Sequence, residues 1–157
     1  VAVRVSKEVR RTVAERAGLR CEYCRCLSEF TSDDYAVEHI HPQARGGNNA
    51  LANLAWSCPG CNSRKFTATT GIDPVTGDTV ALYHPRRDRW GDHFAWAGGG
   101  LFIAGVSPTG RATVERIRLN RRRVVNLRYA LITSEVHPPA DEPAIDTAAE
   151  DIPIQPD

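Results

Sequence analysis

The chain has 157 residues, of which 41% are hydrophobic and 25% charged, with a formal net charge of +1. That length suits one domain with appendages. No apolar run could span a bilayer and no leader-like segment opens the chain, so the expectation is a soluble, cytoplasmic protein. The near-neutral total hides a division. Residues 136–157 hold six acidic residues and no Lys or Arg, so residues 1–135 carry all 20 basic residues against the other 13 acidic ones, a net of +7. The excess is nearly all arginine, which favours a polyanionic partner and bidentate phosphate contacts.

In chain order, Ser6 is placed to cap a helix running from about Lys7 to Ala17. Val9, Val13 and Ala17 fall on one face and Gly18 is the stop. Arg10, Arg11 and Arg16 fall on the other side and read as a solvated face. "LRCEYCRC" is a turn with two cysteines three positions apart. "YAVEHI" alternates and predicts a strand ending at Glu38–His39. "HPQARGGNNA" is a loop by composition, "LANLAWSC" is helical or extended, and "NSRKFTATT" after Cys61 predicts a short helix.

Extended segments follow around turns at Asp73–Gly77, Gly98–Gly100 and Ser107–Pro108. Residues 111–132 read as helix, broken near Asn120, which is placed to cap the second stretch. Val124, Leu127 and Leu131 recur there at helical spacing among Arg121, Arg122, Arg123 and Arg128. From His137 the chain is rich in Pro, Ala and acidic residues without periodicity, which predicts disorder. The expected organisation is a domain over 1–135, with a motif core at 21–66 and a basic extension at 67–135, followed by an acidic tail at 136–157.

Cys21/Cys24 and Cys58/Cys61 form two Cys-x2-Cys turns. Each such turn aims two sulfurs at one point, and two turns complete the tetrahedral shell of a structural zinc with no position left open. Cys26 is the odd thiol and reads as a free cysteine.

Between the turns lie residues suited to phosphodiester hydrolysis. That reaction needs an activated water and a Lewis acid on the phosphate. A histidine takes a proton near neutral pH, and a hard divalent ion wants carboxylate and amide oxygens. Glu38, His39 and Asn62 supply these groups. Adjacent residues at a strand end point to opposite sides, so one can face a metal while the next faces the water.

"CEYC…VEHIHPQARGGNNALANLAWSCPGCNSRK" resembles the HNH endonucleases, the ββα-metal nucleases, in their four-cysteine form. The motif extends from Cys21 to about Lys65. The downstream segment through "PTGRATVERIRLNRRRVVNLR" also resembles the extension of one bacterial subgroup.

The resemblance implies that His39 is the general base. It implies that Glu38 and Asn62 hold a catalytic Mg²⁺ or Mn²⁺, and that Asn53 braces the loop and orients the base or the scissile phosphate. It also places Lys65 and Arg64 on phosphate near a helix N-terminus and the four cysteines on structural zinc. The implied products are a 5′-phosphate and a 3′-hydroxyl. Asn62 stands where the family often has His, which tilts the ion preference to Mg²⁺ or Mn²⁺. His41, in the loop, is a spare ligand or base, or a contact to phosphate or solvent. Tyr83, His84, Arg86, Arg87, Arg89, Trp90 and His93 either line a nucleic-acid groove or are ordinary packing with exposed arginines.

The expected fold is therefore α+β. A small treble-clef-like ββα-metal unit sits on a four-cysteine zinc site, with an N-terminal helix, extra short strands and a C-terminal helical segment. The expected function is a metal-dependent DNA endonuclease, monomeric or weakly dimeric, with RNA the alternative substrate. Two rivals keep the zinc: a nucleic-acid-binding module without catalysis, and a protein-interaction domain.

Overall fold

The computed structural model of the chain describes residues 4–157. It is α+β, with five α-helices and three two-stranded antiparallel sheets among the described residues. Two compact units form. The first runs to Thr69 and takes in His84–Arg87, and the second comprises Thr70–Tyr83 and Asp88–Asp157. The division falls inside the segment read from the sequence as one domain.

In the first unit, α1 (Lys7–Arg16) begins and ends where its caps dictate. Ser6 Oγ accepts from Val9 N at 3.2 Å, and Gly18 takes φ +60° beyond the last turn. Its apolar face, with Val13 wholly buried, packs on β1 (Ala36–His39) and β2 (Leu54–Ser57). Of the arginines read as a solvated face, Arg11 stays there, 3.8 Å from Glu15. Arg10 instead donates to the Tyr35 carbonyl and lies 4.7 Å from the Trp56 ring centroid. Arg16 donates to the carbonyls of Leu51 at 3.0 Å and Leu54 at 2.6 Å, tying α1 to the start of β2.

"LANLAWSC" resolves as extended: β2 pairs with β1 so that Glu38 faces Ala55 and His39 faces Leu54. The helix expected after Cys61 begins earlier, as α2 (Pro59–Lys65). Cys58 is its N-cap, with Sγ accepting from Cys61 N at 3.4 Å, and Pro59 supplies a preset first turn. Phe66 at φ +49° ends it, and a turn follows that leads into a strand at Thr70 rather than more helix.

The second unit holds two hairpins. β3 (Thr70–Ile72) and β4 (Thr79–Ala81) close over the Asp73–Gly77 turn. Arg111 grips the buried Asp73 carboxylate with two bonds of 2.8 and 2.7 Å, and that hydrogen bonding holds the carboxyl well below its usual range. α3 (Trp90–His93) leads into β5 (Phe94–Ala97), which pairs with β6 (Phe102–Gly105). α4 (Pro108–Ile117) packs on β3 and β6. Gly110 lets it approach: a Cβ there would lie 1.9 Å from the His93 carbonyl oxygen.

The break before α5 (Arg122–Thr133) falls near Asn120 as expected, but Asn120 does not cap that helix. Its amide brackets Ile103, accepting from the backbone N and donating to the carbonyl, both at 2.8 Å. Arg128 is fully buried. It donates to Leu119 O at 2.8 Å, Leu101 O at 3.0 Å and Asn120 Oδ1 at 3.2 Å, and lies 5.3 Å from the Trp96 ring centroid. Three bonds from one guanidinium satisfy two loop carbonyls and the Asn120 amide oxygen.

Residues 136–157, expected to be disordered, are hydrogen-bonded along this unit. Trp96 N donates to Pro143 O, Ile145 N to Trp96 O and Gly98 N to Thr147 O, each at 2.8 Å. Further on, Gln155 Oε1 accepts from Asn120 N at 2.9 Å. Ala149 and Ile152 lie against the cluster of Ala97, Phe102 and Val125. Apolar residues spaced among prolines and acids suffice here because β5 offers an unpaired edge.

Candidate active site and metal centre

The two cysteine turns converge. The sulfurs of Cys21, Cys24, Cys58 and Cys61 all lie within 4.8 Å of one another, and Cys24 Sγ is 3.8 Å from Cys58 Sγ. Zn–S bonds of about 2.3 Å in a tetrahedron put sulfurs about 3.8 Å apart, so the four residues fit a structural zinc. The two turns use the same device. Cys24 N donates to Cys21 Sγ at 3.5 Å, and Cys61 N to Cys58 Sγ at 3.4 Å. The four crowded sulfurs share protons unequally: hydrogen bonding from Cys21 first holds the Cys24 thiol well below its ordinary value, whereas hydrogen bonding with Cys21 raises Cys58 and burial raises Cys61. Cys26 is fully buried beside the cluster and outside the set of four.

His39 ends β1. Its Nε2 lies 2.7 Å from Asn49 Oδ1, and that oxygen also accepts from Gln43 Nε2 at 3.1 Å. An oxygen facing it makes Nε2 the protonated nitrogen and leaves Nδ1 with the lone pair. Asn53, half-buried, ties the loop to the strand pair. Its Oδ1 accepts from His41 N at 2.8 Å, and its Nδ2 donates to His41 O at 3.0 Å and Asn48 O at 2.8 Å. The loop closes tightly at Gly47, where a Cβ would sit 1.8 Å from the His41 carbonyl oxygen.

Glu38 points the other way from His39 and is 3% exposed. Its Oε2 accepts from Tyr23 Oη at 2.6 Å and its Oε1 from Lys65 Nζ at 2.6 Å. Burial first, and then the Glu38 charge, push the Tyr23 hydroxyl well up, so it stays protonated and donates. Lys65 Nζ also donates to Ile40 O at 2.9 Å and reaches His39 O at 3.5 Å. Lys65 is therefore not on an exposed phosphate face: it is 1% exposed, at the C-terminal end of α2, and the carboxylate and two carbonyls surround its charge.

Asn62 lies three positions before Lys65, hence on the same face of α2. It is half-buried, and its side chain makes no hydrogen bond among the described residues. Arg64 Nη1 donates to Gly60 O at 3.0 Å, and exposed His41 has its Nε2 2.9 Å from Arg45 O. Arg86 is drawn inward, ion-paired with buried Glu22, whose Oε2 accepts from Trp56 N at 2.8 Å. Burial, with the positive charge of Arg16 second, brings the Arg86 guanidinium down to about 10. Arg87 is exposed.

The basic-aromatic cluster is divided, with His84, Arg86 and Arg87 in the first unit and Tyr83, Arg89, Trp90 and His93 in the second. Trp90 is core, stacked 5.3 Å from Trp96 and 5.3 Å from Phe94. Sequence reasoning passed over Asn49, Gln43, Tyr23 and Glu22. For Asn49 and Gln43 the available signal was their place in the loop that follows His39.

Residues 21–67 match the family model described as HNH endonuclease. The match covers under a third of the chain and supports a nuclease-type function in general terms. Neither the curated proteins nor the solved structures yield a match. No helix of the described residues is long and apolar enough to cross a membrane.

Proposed function

We propose that the chain is a metal-dependent endonuclease that hydrolyses DNA phosphodiester bonds to a 5′-phosphate and a 3′-hydroxyl. The observation that carries this reading is His39, held at a strand end by the 2.7 Å contact of its Nε2 with Asn49 Oδ1, in the HNH-matched segment. Nδ1 takes the proton of a water aligned with the scissile phosphorus, opposite the leaving 3′ oxygen. Asn53 keeps the loop in place so that His39 does not have to be reordered during the reaction.

Glu38 and Asn62 would hold a Mg²⁺-type ion, which supplies Lewis-acid stabilisation of the phosphate and leaving oxygen. The chemistry at Glu38 fits a hard cation, because a carboxylate and two carbonyls already converge there on a positive charge. Arg64, His41 and Arg87 are the candidates for nucleic-acid contact. Lys65 and Arg86 are engaged on buried carboxylates.

The test is cleavage of supercoiled plasmid with Mg²⁺, Mn²⁺ or EDTA, wild type beside His39→Ala. Metal-dependent nicking or linearisation, reduced by about 10²- to 10⁴-fold in the variant, is expected. The inward Glu38 favours a second reading, a nucleic-acid-binding module without catalysis. Salt-sensitive binding without cutting by either protein would establish that one instead.

A further inference from the structure

The ion pair at Glu38 has a composition of its own. Both partners have side chains 2% exposed, and the ammonium is wrapped by Glu38 Oε1, Ile40 O and His39 O. A divalent ion bound to Glu38 would need that oxygen and that space. The charges also oppose sharing: an ammonium 2.6 Å from Oε1 and a divalent ion on the same oxygen would repel one another.

We infer that Lys65 is the resident counter-cation of the ion site, and that divalent binding and the Lys65–Glu38 pair exclude one another. The inference rests on the reading of Glu38 as an ion ligand. Lys65 is then a positioning residue. Without an ion it keeps Glu38 in place and compensated, since an unpaired buried carboxylate would be costly. When an ion arrives, Lys65 leaves, and its charge is carried out of the interior along α2. Tyr23 stays on Oε2 throughout and fixes the carboxylate while its cation changes.

The chain makes this directly measurable, because it contains only two lysines, Lys7 and Lys65. Lys7 is exposed at the start of α1 and serves as an internal reference. The experiment is amine labelling with peptide mapping on the full-length, zinc-loaded protein. It is run with and without Mn²⁺, with bound Mn²⁺ counted by electron paramagnetic resonance. Glu38→Gln is carried in parallel.

Without Mn²⁺, Lys65 should react more than about tenfold more slowly than Lys7, as a group that needs local opening. Its rate should rise in step with Mn²⁺ occupancy while the Lys7 rate stays constant. Mn²⁺ bound to wild type with Lys65 still protected would overturn the exclusion. So would Lys65 reacting as fast as Lys7 before any ion is added. If Glu38→Gln binds Mn²⁺ as well as wild type, or wild type binds none, the ion-site assignment itself fails and takes the inference with it. Loss of Mn²⁺ binding in Glu38→Gln with Lys65 protected throughout in wild type would leave the assignment standing and the exclusion refuted.

Discussion

The proposal that His39 acts as a base through Nδ1 rests on the 2.7 Å contact of its Nε2 with Asn49 Oδ1, and nothing in the residue pattern announced that contact. One neutral hydrogen bond contributes about 1 kcal/mol, so Asn49→Ala should lower turnover by up to about tenfold. Zinc content and the melting profile should hardly change. Steady-state cleavage beside zinc analysis would check this, and a loss as deep as that of His39→Ala would mean Asn49 touches the reacting atoms itself.

Glu38, His39, Asn53 and Asn62 stood out in the sequence because their types and order fit one chemistry. The inward turn of Lys65 and Arg86 was not. Whether a basic side chain meets solvent or a buried carboxylate depends on Glu38 and Glu22, 27 and 64 positions away in the chain, and no periodicity encodes such pairs.

At the scale of elements, the cysteine turns and the caps of α1 read well because each is a local device. Ser6 and Gly18 act through bonds three residues long. α2 is the element on which the site depends: its first turn carries Cys58 and Cys61, and its last carries Asn62 and Lys65. Metal loss should therefore reach the candidate site. Cys61→Ser, or exhaustive chelation, should abolish bound zinc and collapse the first unit, because such metal sites supply about 10 kcal/mol or more of folding free energy. Cleavage should fall with it and should not return on adding Mg²⁺ alone. Atomic absorption with circular dichroism would check this, and an intact fold without zinc would contradict it. Where the sequence reading misplaced an element, at the start of α2 and in the role of Asn120, the deciding bond ran to a sulfur or to a distant strand.

Across the whole molecule, the arginine excess overstates the charge offered to a polyanion. Arg86, Arg111 and Arg128 are engaged on Glu22, Asp73 and loop carbonyls. The acidic tail likewise belongs to the architecture of the second unit. Ending the chain at Val136 should remove the backbone pairing along Trp96 and Gly98 and uncover Phe102. A destabilisation of about 3 kcal/mol or more is expected. Thermal denaturation would register it, with no tightening of DNA affinity at low salt. Unchanged stability together with tighter binding would instead make the tail a detachable electrostatic shield.

The tail also sets an order in time. The four zinc ligands are complete once Cys61 has been synthesised, whereas the β5 edge waits for residues 143–147 and Asn120 for Gln155. At about 5–20 residues per second, a nascent chain spends several seconds with its metal ligands available and its second core unfinished. Zinc supply during synthesis, rather than after release, is then what decides whether the half that carries His39 forms first.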